Sequence, residues 1–179
     1  MTNAELAILS LIAEQPRHGY QIETVIEQRG MREWTEIGFS SIYYLLKKLE
    51  REGLVEGQPG GQSGKGPARV VYSITQKGEV TLNASLLEAL SIPHPCYSPF
   101  QLGLSGLPVI RPDKAMDALR QHQTSLAERR QHILRRWEAQ KPLPYYVEAM
   151  FDQSLTVINA QLEWLDKFIH QMEANNDKS

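Results

Sequence analysis

The sequence predicts a mainly α fold interrupted by a single β-hairpin. Three observations lead there. Apolar residues recur at helical spacing through most of the chain, one short stretch from Arg69 to Ile74 is rich in β-branched and aromatic residues, and Pro and Gly clusters cut the chain into discrete segments. The breaks fall at Gln15 to Gly19, Gly53, Gly57 to Pro67, Pro93 to Pro112 and Pro142 to Pro144. Pro lacks an amide donor and Gly tolerates positive φ, so these clusters end helices and strands.

The first segment, Asn3 to Ala13, opens on an Asn cap candidate and carries Leu6, Ile8, Leu9, Leu11 and Ile12, apolar nearly all round. Such a helix belongs inside a core. Tyr20 to Arg29 places Ile22, Val25 and Ile26 on one face, a short amphipathic helix. Ser40 to Glu52 is the most informative stretch. At 100° per residue Ile42, Leu45, Leu46 and Leu49 share one sector, while Ser40, Tyr44, Lys47 and Arg51 lie opposite with Tyr43 and Lys48 flanking them. One face packs inward, the other presents hydroxyls and cations, and Gly53 is a natural left-handed C-terminal residue.

Leu54 to Glu56 leads to a tip with five glycines in the eleven residues from Gly57 to Pro67, and Arg69 to Ile74 returns. This reads as a hairpin whose long tip bears Lys65 and Arg69. Thr75 caps a fourth helix to about Leu90, with Gly78 a weak point inside it. Residues 112–140 set Leu119, Leu126 and Ile133 seven apart. Residues 145–172 set Phe151, Leu155, Ile158, Leu162, Leu165, Ile169 and Met172 in the 4-3 alternation of a coiled-coil seam. Val157, Trp164 and Phe168 widen that apolar surface beyond what one helix pair covers.

Charge is distributed more tellingly than it sums. The 179 residues carry a formal net charge of −2, which excludes a uniformly basic nucleic-acid coat. Yet the balance swings from −3 over residues 1–39 to +3 over residues 40–77, so a basic site is local to the third helix and the hairpin. Residues 111–141 are net basic and residues 144–179 net acidic. A single cysteine, Cys96, allows no internal disulfide, and the apolar run from Leu6 to Ala13 is too short to span a bilayer, so a cytoplasmic chain is expected.

Helix, helix, helix and then a β-hairpin, with the cations on the third helix and the hairpin tip, is the order of a winged helix-turn-helix. The major groove admits one helix, and a cationic loop reaches the neighbouring groove. The expected organisation is a winged helix-turn-helix DNA-binding domain over 1–90, a Pro-rich connection over 91–111 and a helical C-terminal dimerisation domain over 112–179. Leu6 and Leu9 with Phe151, Leu155, Ile158, Leu162, Leu165 and Ile169 are expected to pack against a second subunit, burying apolar surface that one chain leaves exposed.

The same residues resemble the PadR family of bacterial transcriptional regulators. The match is carried by Leu6 to Ile12, by His18-Gly19-Tyr20-Gln21-Ile22, by the run Ser41 to Val55, and by Arg69-Val70-Val71-Tyr72 with Ile74 to Gly78. Two features depart from the pattern: Gly38-Phe39-Ser40 stands where the family often has a Pro-Gly entry, and the wing tip is unusually Gly-rich. The resemblance implies a homodimer that binds an inverted-repeat operator in double-stranded DNA, usually as a repressor, and often releases it on meeting a small molecule. It implies recognition-helix contacts from Ser40, Ser41, Tyr43, Tyr44, Lys47 and Lys48, Tyr20 near the phosphates, and Lys65 and Arg69 in the wing.

Other chemistries find no pattern. His18, His94, His122, His132 and His170 lack metal-ligand spacing, and there is no nucleophile elbow or phosphate-binding Gly-Lys-Ser/Thr loop. No enzyme activity, metal or cofactor is expected. Trp34, Trp137 and Trp164 read as core or interface residues before they read as an effector pocket. A winged-helix adaptor that binds protein instead of DNA is the alternative, and salt-sensitive retention on DNA separates the two.

Overall fold

The computed structural model describes residues 1–35, 37–38, 41–60, 70–93 and 98–176. The chain divides into two units, Met1–Pro95 and Cys96–Ser179. The first contains α1 (Asn3–Glu14), β1 (Arg17–His18), α2 (Gly19–Gln28), a 3-10 turn (Met31–Glu33), α3 (Ser41–Arg51), β2 (Val55–Pro59), β3 (Val70–Ile74) and α4 (Gln76–Ser91). The second contains α5 (Pro99–Ser105), a 3-10 turn (Leu107–Val109), α6 (Pro112–Gln140) and α7 (Tyr145–Asn176). The mainly α winged-helix fold is the one the sequence predicts.

Helix α1 is the hub of the first unit. Ile8, Leu9, Leu11 and Ile12 are completely buried, in one cluster with Ile22 and Ile26 of α2, Ile42, Leu45, Leu46 and Leu49 of α3, Tyr72 of β3 and Leu82 of α4. Each such side chain contributes about 1.5–3 kcal/mol by leaving water. The cap of α1 is Thr2 and not Asn3. Thr2 Oγ1 accepts from the Glu5 amide at 3.2 Å while Glu5 Oε2 accepts from the Thr2 amide at 2.9 Å, a reciprocal capping box.

Strand β1 is an element that periodicity does not reveal, because two residues carry no period. It pairs with β3 (Arg17↔Tyr72, His18↔Val71), giving an antiparallel sheet in the order β1-β3-β2. The turn between α1 and α2 is thereby stitched to the hairpin. Arg17 is buried there, with Nε donating to the Leu11 carbonyl at 2.9 Å and Nη2 to Glu14 Oε2 at 2.9 Å. Glu14 also receives both terminal nitrogens of Arg29, at 2.5 and 2.9 Å, tying the ends of α1 and α2.

The exit from α3 follows expectation. Gly53 takes φ +71°, the Gly53 amide donates to the Glu50 carbonyl and the Leu54 amide to the Leu49 carbonyl, each at 2.9 Å. Thr75 caps α4 by accepting from the Gly78 amide at 3.0 Å, and its hydroxyl donates to the Gly53 carbonyl at 2.8 Å. Gly78 is not a weak point. A Cβ there would lie 2.0 Å from the Leu54 carbonyl oxygen and 2.8 Å from Ile74 Cγ1, so the missing side chain is what lets α4 sit on the strand.

In the second unit α6 and α7 run antiparallel along the expected apolar stripes. Met116, Leu119 and Leu126 meet Leu165 and Ile169, and Ile133 meets Leu155 and Ile158. Trp137 stacks on Phe151 with ring centroids 5.9 Å apart. The opposite charges of the two segments pair across the seam, as in Arg120–Glu173 at 2.7 Å. The stretch expected as a bare Pro-rich connection contains α5, whose Phe100 and Leu104 pack on the first of these clusters, so the second unit starts earlier than residue 112.

The Gly78 geometry fixes a sign. Ala in a helix interior gains about 1 kcal/mol over Gly by propensity, but forcing a methyl into backbone costs about 1–3 kcal/mol. Gly78→Ala is expected to lower unfolding free energy in urea titration, by up to about 2 kcal/mol net; a stabilised variant would contradict the close approach of α4 to Leu54.

Candidate nucleic-acid interface

The inward face of α3 decides which side chains face out. Ile42, Leu45, Leu46 and Leu49 are buried, and the remaining side of the helix carries Tyr43 (58% exposed), Tyr44 (66%), Lys47 and Arg51. Tyr43 stands over the start of α2: a Cβ on Gly19 would lie 2.6 Å from Tyr43 Cε1, so the ring rests against the bare glycine backbone while most of it remains in solvent. Tyr20, one residue further along α2, is 71% exposed on its own first turn. Three phenol groups and two cations therefore lie on the outer surface of the helix-turn-helix, the combination that donates to phosphates and base edges.

Ser41 has a local task. Its hydroxyl donates to the Gly38 carbonyl at 2.7 Å, closing the entry to α3. Ser40, Lys65 and Arg69, all expected as contacts, lie outside the described residues.

Lys47 and Lys48 are separated by one position and by their roles. The Lys47 side chain is 68% exposed and pairs with Glu50 Oε2 at 3.1 Å. The Lys48 side chain is 29% exposed and turns to α1, where its ammonium donates to the buried carboxylate of Glu5. Lys48 is thus tied within the protomer, and Lys47 is the more exposed of the two. The rotation of α3 that points Lys47 outward swings Lys48 towards α1.

Ionisation follows these contacts. Burial alone would raise the Glu5 carboxyl, but the hydrogen bond from Lys48 and the amide of Thr2 outweigh it and hold the group below its usual range. The Arg29 hydrogen bonds depress Glu14 in the same way, with Arg17 adding to them. Lys47 is raised, first by the Glu50 hydrogen bond and then by the Tyr72 oxygen, and Lys48 is raised by Glu5.

The residues expected at a subunit interface are placed within the chain. Leu9 is fully buried in the first core and Leu6 packs partly against it. Leu155, Ile158, Leu165 and Ile169 face α6, with Phe151 and Leu162 packed beside them, so the seam is filled by the neighbouring helix. What α7 leaves in solvent is a second stripe at seven-residue spacing: Met150 (41% exposed), Val157 (44%) and Trp164 (45%). Trp164 stacks on Phe168 at 5.0 Å, and Trp34 of the first unit is exposed and not a core residue.

Glu5 and Glu50 hold the two lysines of α3, contacts outside the sequence-based expectations. The Thr2-x-x-Glu5 spacing signals a capping box, but not that the same carboxylate receives Lys48 from 43 residues away. Among the described residues no group of three His, Cys, Asp or Glu side chains is placed to hold a metal ion, and no helix is long and apolar enough to cross a membrane.

Residues 8–84 match the Transcriptional regulator PadR-like family. Among solved structures, the chain is similar to Bacillus subtilis PadR in complex with operator DNA, at 20% identity and a TM-score of 0.76 over 94% of this chain and 98% of that one. It is also similar to Bacillus subtilis PadR in complex with p-coumaric acid, at 19% identity and 0.78 over 94% and 98%. The PadR-like regulator BC1756 from Bacillus cereus matches at 18% and 0.69 over 96% and 97%. No curated protein matches the chain in sequence.

Two depressed carboxyls set the acid stability. The native state binds fewer protons than the unfolded chain in the range between the two sets of pKa values. The contribution of Glu5 and Glu14 is therefore complete above the usual carboxylate range and is lost as pH falls through their lowered native values. Thermal midpoints recorded from neutral pH downward are expected to fall, and Glu5→Gln is expected to flatten that fall; an unchanged profile in the variant would contradict the Glu5 contacts.

Proposed function

We propose, from the match of residues 8–84 to the Transcriptional regulator PadR-like family, that this chain is a homodimeric repressor. In this reading it binds an inverted-repeat operator with α3 and is released by a small-molecule effector. The observation that carries the reading is the division of α3 into a fully buried apolar face and an outer face bearing Tyr43, Tyr44, Lys47 and Arg51. A helix locked on one side by a core presents the other in fixed register, which sequence-specific contact requires.

Lys47 and Arg51 serve as cations for the duplex, Tyr43 and Tyr44 as base-edge or phosphate donors, and Tyr20 as a phosphate donor from the flank. Ser41 stands at the entry of the proposed recognition helix, and Ser40, Lys65 and Arg69 are proposed as further contacts from the sequence alone. Lys48 acts indirectly, by fixing α3 to α1 through Glu5. The effector reading is supported by the likeness to a fold captured with p-coumaric acid, and the DNA reading by the likeness to one captured on operator DNA.

For the dimer, the exposed stripe Met150, Val157 and Trp164 is the surface a second copy would cover, since α6 already occupies the inner seam. A two-fold pair then sets two α3 helices about one duplex turn apart, ~34 Å or a multiple of it.

Binding to duplex DNA, followed by fluorescence anisotropy against salt, tests the reading. Log affinity is expected to fall steeply with log salt. Lys47→Ala is expected to reduce that slope by about 1, whereas Lys48→Ala leaves the slope unchanged and lowers the melting temperature. Passage through DNA cellulose at low salt would instead favour the protein-binding adaptor. Sedimentation is expected to show a dimer that Trp164→Glu splits into single chains; a wild-type monomer would sink the dimeric reading.

A further inference from the structure

Glu50 lies in the last turn of α3, where the outer face of the helix meets the hairpin. Its two carboxylate oxygens have different partners: Oε2 accepts from Lys47 Nζ at 3.1 Å, and Oε1 accepts from the backbone amide of Gly57 at 3.2 Å. Gly57 is on β2, an edge strand of the sheet. Outward amides of an edge strand need partners from elsewhere, and Glu50 supplies this one. The fit demands glycine: a Cβ at position 57 would lie 2.5 Å from Glu50 Oε1 and 2.8 Å from Val70 Cγ1. One carboxylate therefore grips the most exposed lysine of α3 and the strand that leads into the wing.

From this geometry we infer that Glu50 is a positioning residue for DNA binding, restraining Lys47 from indiscriminate phosphate contact while anchoring the base of the wing. The inference rests on the proposed DNA-binding function. A phosphate approaching α3 must take the Lys47 ammonium from a carboxylate already bonded to it, and that carboxylate repels the phosphate as well. Non-specific binding, which is almost wholly electrostatic, is thereby held down. Contact in the correct register places a phosphate where the exchange is favourable. The wing stays in place during the exchange because the Gly57 bond uses the other oxygen.

The test is a double-mutant cycle on Glu50→Gln and Lys47→Gln, read as affinity for a fluorescent duplex of arbitrary sequence at low salt. Gln at position 50 keeps a carbonyl for the Gly57 amide and removes the charge that holds Lys47. Glu50→Gln is expected to tighten non-specific binding roughly two- to fivefold, the scale of an exposed ion pair, and to tighten it clearly less in the Lys47→Gln background, where only the carboxylate's own repulsion of phosphate is removed. Equal tightening in both backgrounds would mean only a general loss of negative charge and would overturn the restraint on Lys47, as would no tightening in either. Hydrogen exchange at the Gly57 amide reads the anchor: protected in wild type and Glu50→Gln, fast in Glu50→Ala. An unprotected Gly57 amide in the wild type overturns the anchoring role without requiring any variant to fold. If the wild type shows no salt-sensitive duplex binding, the DNA-binding reading itself falls; wild-type binding with a flat cycle removes only this inference.

Discussion

The burial of one face of α3 against α1 is the constraint from which the rest of the first unit follows. Ile42, Leu46 and Leu49 are sealed against Ile8, Leu9, Leu11 and Ile12, and close packing of this kind fixes rotation about the helix axis to within a side chain's width. Once that rotation is fixed, the destinations of the outer residues are no longer independent. Tyr44 and Lys47 point to solvent, Tyr43 leans on Gly19, Lys48 reaches Glu5, and Glu50 reaches the strand. A roll of about 100°, one residue's step round the helix, would put Lys48 where Lys47 now stands.

Polar contacts around that core refine the placement without creating it. Glu5 both closes the N-terminal cap of α1 and receives Lys48, so one buried carboxylate links the start of the first helix to α3. Arg17, Glu14 and Arg29 perform a similar service at the other end of α1. Breaking such a pair by removing one partner leaves an uncompensated charge in a partly buried place and destabilises the fold, although the intact pair adds little over a well-packed apolar replacement. Gly19, Gly57 and Gly78 complete the arrangement by omission, each leaving room for a ring, a carboxylate or a carbonyl.

Much of this was legible in the sequence, and the parts that were not share a physical reason. Helices α1 to α4, α6 and α7, the inward sector of α3, the αL glycine at 53 and the cap at Thr75 all rest on local periodicity or local backbone chemistry, whereas α5 sits in a stretch that reads as a connection. The motifs from Leu6 to Gly78 resemble the PadR family, and residues 8–84 match that family. Long-range pairings were hidden: the Lys48–Glu5 bond, the Glu50–Gly57 bond and the β1 strand join residues whose separation carries no pattern. The α7 seam shows a different failure. A 4-3 alternation says that a helix partner exists but not whether it comes from the same chain, and α6 took the surface assigned to a second subunit.

The central claim is that the outer side of α3 meets a DNA duplex. Replacing Tyr44 with a photo-crosslinking phenylalanine analogue, and Tyr146 on α7 with the same group as a control, tests it at the residue itself. Irradiation with labelled duplex is expected to join DNA to the protein through position 44 and not through position 146, with the yield at 44 falling as salt rises. DNA bound but joined only through 146, or through neither, would contradict the account.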